Sequence, residues 1–298
     1  MTAKANRPRS RKRNSWTTRA RRITQLLFAG FIVFAAARHQ LAEGAGVATP
    51  SIDALCPFGA VETLGTYITT GNYISKIHPS DIVLALGVLI GLVLAGNAFC
   101  GWICPFGAVQ DGINWVRRKL RLPEVTLPER VDSILRYGRF VTLALIVYMS
   151  MSTAKLWFAD YDPYRTLFSL HWLYAFNLAT MWPALVILGA VLGLSLLVER
   201  AWCRYLCPLG GVLSVFGHLS ILRIRRSEDS CKGCALCESP CPVGLKVATA
   251  NPTVSTNCVG CLECVEACPR HGALTLQIGP RWWDGLKSLW LRQPVSTN

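Results

Sequence analysis

The sequence predicts an all-α membrane body of four transmembrane helices in two pseudo-symmetric halves, followed by a small α+β module held together by cysteines. Three observations predict it: four long apolar stretches, a cysteine–proline motif that recurs at matching places, and eight cysteines in two identical runs. Hydrophobic residues make up 52% of the 298 and charged residues only 16%, too apolar a balance for a soluble protein of this length. The 13 cysteines fall mostly in metal-ligand spacing rather than in scattered pairs, which points to a reducing compartment around them. A net charge of +14 could signal nucleic acid. The basic residues cluster at the ends of apolar segments, however, where membrane topology accounts for them, so no nucleic-acid partner is expected.

The cysteine runs are Cys231, Cys234, Cys237 and Cys241-Pro242, then Cys258, Cys261, Cys264 and Cys268-Pro269. Each is C-x2-C-x2-C-x3-C-P, the ligand spacing of a bacterial ferredoxin that holds two [4Fe–4S] clusters. A tight turn places three thiolates around one cubane, and the last cysteine of each run crosses to the other cluster. The expected ligand sets are therefore Cys231, Cys234, Cys237 and Cys268 for the first cluster, and Cys258, Cys261, Cys264 and Cys241 for the second. Structural zinc also uses C-x2-C pairs, but two full four-cysteine runs, each closed by proline, speak against it. Leu219–Arg226 and Ala273–Ile278 alternate as outer strands of this ferredoxin-like module would.

Four segments follow from a pass along the chain. Residues 1–22 carry Arg7, Arg9, Arg11, Lys12, Arg13, Arg19, Arg21 and Arg22 and no acid, and read as a disordered cytoplasmic tail that sets orientation. Residues 23–220 form the four-span membrane domain. Its first apolar run, Ile23–Ala37, has features of a signal peptide, with Ala35-Ala36-Ala37 as a cleavage site behind Arg21-Arg22. The repeat described below needs this helix, so a retained span from near Trp16 to near Arg38 is expected. Ile82–Phe99, Phe140–Phe158 and Trp182–Val198 supply three more spans, with Lys155, near the end of the middle one, as their one charged residue. Residues 221–280 are the double-cluster domain, and 281–298, with Trp282, Trp283 and Trp290, an interfacial segment lying in the headgroup layer. Arginines and lysines crowd 117–139 and 200–226, whereas 39–81 and 159–181 hold only Lys76 and Arg165. The positive-inside rule then places both termini and the cysteine module on the cytoplasmic face of a bacterial inner membrane.

The membrane part contains a repeat. Phe99-Cys100-Gly-Trp-Ile-Cys104-Pro-Phe-Gly-Ala-Val109 matches Trp202-Cys203-Arg-Tyr-Leu-Cys207-Pro-Leu-Gly-Gly-Val212, and the preceding helices share Gly87 and Gly91 with Gly189 and Gly193. Cys56-Pro-Phe-Gly-Ala-Val61 echoes the second half of the motif on the opposite face, with Asp162-Pro-Tyr-Arg-Thr-Leu167 as its later counterpart. Two halves related by an axis along the membrane normal are implied. Proline disfavours helix at the residue before it and suits the first turn of the next, so each span should end near Cys104 or Cys207. Those cysteines would cap new helices, whose dipoles should lower their thiol pKa. Brought together, Cys100, Cys104, Cys203 and Cys207 make a four-thiolate set, read as an additional iron–sulfur or other redox-active metal centre. A thiol/disulfide relay, a Cu(I) site and inert buried cysteines are the alternatives.

The remaining polar residues say less. Cys56 stands alone on the outer side, as a buried small hydrophobe or a ligating thiol. His39, His78 and His171 fall near the outer boundary, and His218 and His271 on the inner side; all read as ordinary, with a quinone contact the sharper view of the outer three. Tyr161, Tyr164, Trp172, Tyr174 and Trp182 form an interfacial aromatic belt or the wall of a quinone site.

Four spans, two C-x3-C-P motifs at inner helix ends and a C-terminal double ferredoxin run resemble the membrane-bound 4Fe-4S polyferredoxin family. This is the NapH/YccM type, related to the C-terminal part of NosR and to FixG/CcoG proteins. The likeness covers roughly residues 20–280, and Cys56 in its CPFG setting points to the YccM-like branch. The resemblance implies electron transfer between the quinone pool and a partner oxidoreductase or a flavodoxin- or ferredoxin-like carrier. A copper reductase acting in metalloenzyme assembly and a redox-sensing regulator are the rival functions.

Overall fold

The computed structural model describes residues 2–3, 16–44, 80–153, 157–174, 176–250, 255–270 and 272–279. Cys56, His78, His271 and the 281–298 segment lie outside the described residues.

Helix α1 (Trp16–Gly44) passes unbroken through Ala35-Ala36-Ala37. It begins inside the stretch expected to be a disordered tail, so Arg19, Arg21 and Arg22 are helical. Helix α2 (Ser80–Ala95) ends earlier than the expected Phe99. Gly96 adopts φ +62° and its N–H returns to the Leu92 carbonyl at 2.8 Å, a left-handed stop open to glycine. A five-residue helix, α3 (Ala98–Trp102), then carries Cys100, and α4 (Pro105–Lys119) follows with Cys104 as its N-cap. Arg117, Arg118 and Lys119 occupy its last turn, where cations suit the helix dipole.

The second half repeats this order. Helices α5 (Glu129–Leu135) and α6 (Gly138–Thr153) form one long apolar rod, and α7 (Pro163–Phe168) precedes α8 (Leu178–Leu197). A π-helical turn (Trp202–Leu206) carries Cys203, and α9 (Pro208–Phe216) starts behind Cys207. Helix α1 packs on α3 and α4 as α6 packs on the π turn and α9, which is the predicted internal repeat seen as packing. Among the described residues, three helices are long and apolar enough to cross a membrane: Trp16–Ala42, Glu129–Thr153 and Leu178–Leu197. Helix α2, with 16 residues, extends about 24 Å at 1.5 Å per residue, less than the ~30 Å hydrocarbon layer. Large apolar side chains such as Leu26, Phe34, Val141 and Val186 stand exposed along these rods, as lipid-facing residues do.

One connection departs from expectation. The segment after α6 was expected to stay at the outer boundary, yet α7 folds back among the helices. Phe168 is buried with Ile32, Leu188 and Val191, and Phe158, Tyr164 and Leu167 pack on the same cluster. Non-helical backbone is tolerated at such depth only where protein covers it. Here the Asp162 carboxylate accepts the Tyr164 N–H at 3.0 Å, and Gln40 donates to the Ser169 carbonyl at 3.2 Å. Tyr164 is thus an inner wall rather than part of an interfacial belt.

The C-terminal module is a two-stranded antiparallel sheet, β1 (Leu222–Arg226) with β2 (Leu274–Ile278), which pairs Leu222 with Ile278 and Arg226 with Leu274. The strands enclose the cysteine loops and a short helix, α10 (Glu263–Ala267). Ile224, Cys237, Val247, Cys264 and Leu274 form its small core.

Candidate metal centres and their junction

Both cysteine loops in the module wind the same way. Gly233 and Gly260 take φ +68° and +61°, and two residues later Ala235 and Leu262 take +54° and +61°. Left-handed residues interleaved with ordinary ones turn successive N–H groups inward, a concavity suited to anionic groups. The Gly260 N–H lies 3.5 Å from Cys258 Sγ, and the Gly233 N–H pulls the Cys231 thiol below its usual range. Cys231, Cys234, Cys237 and Cys268 line one cavity. Cys241 lies within electrostatic reach of Cys258, Cys261 and Cys264, although it stands at least 17 positions before them. Burial pushes Cys237 and Cys258 up to about 11, and Cys261 and Cys264 higher still. Four buried thiolates in one place require compensating positive charge, which a bound iron cluster brings.

Cys100, Cys104, Cys203 and Cys207 line a second cavity of about 100 Å³, several times the ~10–15 Å³ that one water needs. Phe106 and Trp202, edge to face with centroids 6.3 Å apart, close part of it. Cys104 (φ −60°, ψ 116°) and Cys207 (φ −65°, ψ 115°) are matching extended N-caps, each followed by proline. The long helices themselves stop earlier than expected, at Ala95 and Leu197, and the Cys-Pro steps end only the short helix and the π turn that follow them. The effect on the thiols is the reverse of the expected one: burial raises all four, Cys203 to about 12, and outweighs the backbone N–H groups that favour the Cys104 and Cys207 thiolates. The two halves brace each other here. Gln110 from the first half donates to Cys203 Sγ at 3.0 Å, and Arg200 from the second donates to the Cys100 carbonyl at 3.1 Å.

Among the described residues, no three His, Cys, Asp or Glu side chains stand close enough to hold one metal ion. Cys100, Cys104, Cys203 and Cys207 instead share the wall of one cavity.

The two regions share a wall. The Val259 carbonyl stands so near Gly101 that a Cβ there would lie 2.3 Å away. Trp102 Nε1 donates to the Gly260 carbonyl at 3.0 Å, and Asn97 Nδ2 to the Thr256 carbonyl at 2.7 Å. Cys100 and Cys241 pack on the same cluster of Val243, Val259 and Cys261. Cations clamp the rest: Arg136 donates to the Val243 carbonyl at 2.7 Å, Arg139 to Asn257 Oδ1 at 2.5 Å, and Arg21 pairs with Glu263.

The buried charges are what sequence reasoning missed. Arg21, Arg117, Arg139 and Arg200 read as solvated topology signals, yet all four are buried. The available signal was acidic: Asp111, Asp132 and Glu199 are isolated carboxylates beside the motifs in an acid-poor membrane half. Asp132 accepts from Arg136 (2.9 Å), Arg204 (2.5 Å) and Tyr205 (2.5 Å). Among the described histidines, His171 stands 3.4 Å from Gln40, and His218 lines a cleft beside Arg136 and Arg139.

Comparison with known proteins agrees with this layout. A 4Fe-4S binding domain family matches residues 77–123 and again 180–226, with the same offset that separates Cys100 from Cys203. A 4Fe-4S dicluster domain matches residues 223–269. The ferredoxin-type protein NapH of Haemophilus influenzae is 30% identical over 67% of this chain and 71% of its own length. The chain belongs to the NapH/YccM-type polyferredoxin family. Members of this family are iron–sulfur electron-transport proteins, and 4Fe-4S domain families match both cysteine regions of this polyferredoxin. YccM of Escherichia coli is 30% identical over 78% of the polyferredoxin, which spans 65% of YccM. NirI of Paracoccus denitrificans is 34% identical over 63% of it, which spans 27% of NirI. No solved structure matches the polyferredoxin.

Proposed function

We propose that this polyferredoxin passes electrons between the quinone pool and a partner redox protein, across the junction between its membrane cysteines and its ferredoxin-like module. The observation that carries this reading is the shared wall at Gly101, Val259 and Cys241, where the backbone of one cysteine region packs directly on the other. Cys231, Cys234, Cys237 and Cys268 would hold one [4Fe–4S] cluster, and Cys241, Cys258, Cys261 and Cys264 a second. Cys100, Cys104, Cys203 and Cys207 would hold a further iron–sulfur centre, a reading supported by the 4Fe-4S binding family that matches both motifs. When bound, each cluster accepts and returns one electron. The chain's own groups do the rest: left-handed loops aim N–H groups at the thiolates, buried arginines offset their charge, and Phe106 and Trp202 exclude water.

Four spans, with both termini and the module on the cytoplasmic side of the inner membrane, complete the proposal. A retained first helix is part of it, because α1 supplies Arg21 to Glu263 and Gln25 to the Gly101 carbonyl at 3.0 Å. Cys234 is the exposed cysteine of the first set, so the partner would meet the module there. The test is anaerobic purification with iron and sulfide counts, followed by EPR with and without a quinol analogue. Iron that falls in a Cys100→Ala/Cys203→Ala double variant, and clusters that are reduced by quinol, support the reading. Unchanged iron in that variant rejects the third centre.

A further inference from the structure

We propose that Arg200, locked to Asp111, raises the reduction potential of the centre at Cys100, Cys104, Cys203 and Cys207 and of the neighbouring one at Cys241, Cys258, Cys261 and Cys264. The proposal rests on the cluster assignments above and names the residue pair that tunes them. Arg200 is 0% exposed, the largest fully buried side chain among the described residues. Its Nε and Nη2 donate to the two Asp111 oxygens at 2.7 and 2.6 Å, and Nη1 donates to the Cys100 carbonyl at 3.1 Å. The guanidinium is therefore fixed by three hydrogen bonds from two helices.

Its position is unlike that of the other cations. Arg200 donates to the Cys100 carbonyl, and Cys100 packs with Cys241 on the cluster of Val243, Val259 and Cys261, so one charge stands beside both regions. The cysteines of the first ferredoxin set feel Arg226 and Arg270 instead. The internal repeat places Asn97 where the second half has Arg200, so no symmetry-related cation duplicates its effect. A buried cation favours the reduced, more negative form of a nearby cluster, and net charge near a cluster is one of the established controls of its potential. Asp111 works in the opposite sense, while holding the arginine in place.

The test is an EPR-monitored redox titration of the full chain, with iron and sulfide counted first on each variant. Arg200→Gln should lower the potentials of both neighbouring centres by at least a tenfold shift in equilibrium, ~59 mV for one electron. Asp111→Asn should raise the membrane centre's potential, Arg200→Lys should stay near the wild type, and the Cys231 centre should not move. A merely structural role would shift both charge variants in one direction or through loss of iron. Should Arg200→Gln fail to assemble, Asp111→Asn and Arg200→Lys decide. No upward shift in Asp111→Asn at full iron content overturns the proposal. Iron counts short of three clusters in the wild type would instead count against the cluster assignments.

Discussion

Alanine at position 101 should loosen the ferredoxin-like module from the membrane cysteines while leaving every thiol in place. The added Cβ would stand 2.3 Å from the Val259 carbonyl oxygen, whereas ordinary contact begins at 3.4 Å, so the loop must retreat by about 1 Å. Backbone is on the receiving side, and no side chain can swing clear. Overpacking of this kind costs ~1–3 kcal/mol, and the Trp102–Gly260 and Asn97–Thr256 hydrogen bonds, at about 1 kcal/mol each, stretch with it. A total on the order of 3 kcal/mol shifts the docked-to-undocked ratio by roughly two powers of ten. Amide hydrogen exchange should report faster opening of residues 258–264, and quinol-driven reduction of the module's clusters should slow at unchanged iron content. Wild-type exchange and wild-type reduction in Gly101→Ala would refute the idea that this contact joins the two regions.

Three further outcomes are expected. Asp132→Ala leaves Arg136, Arg204 and Tyr205 without their common acceptor; loss of a largely buried pair of this kind costs ~3–5 kcal/mol, read as a lower thermal midpoint. Burial raises Glu199 from 4.5 to about 7, so the native state holds a proton that the unfolded chain releases. Stability should therefore fall as pH rises from about 4.5 through 7, by on the order of 3 kcal/mol, and Glu199→Gln should flatten a melting-temperature profile between pH 5 and 8. Brief exposure to air should destroy the EPR signal of the Cys231 set first, because Cys234 is exposed whereas Cys261 and Cys264 are buried; simultaneous loss would contradict that order.

Covalent spacing and local conformational preference made much of this protein legible in one dimension. The C-x2-C-x2-C-x3-C-P runs set the loop geometry because only three thiols within seven residues can face one core, and the structure adds the left-handed steps at Gly233 and Gly260. The Cys104-Pro105 and Cys207-Pro208 steps ended helices for a reason local to the dipeptide. The apolar runs announced their helices, although Gly96 cut α2 short at a position where the hydropathy stays high. What lay beyond reach were the pairings between distant residues. An arginine near a span end looks the same in sequence whether it faces water or a buried carboxylate. Only tertiary packing turned Arg200 inward to Asp111, brought α7 back among the helices, and set Val259 against Gly101. Those contacts depend on how two halves and a third module fill shared space, and a linear pattern carries that information only as isolated charges and glycines without visible partners.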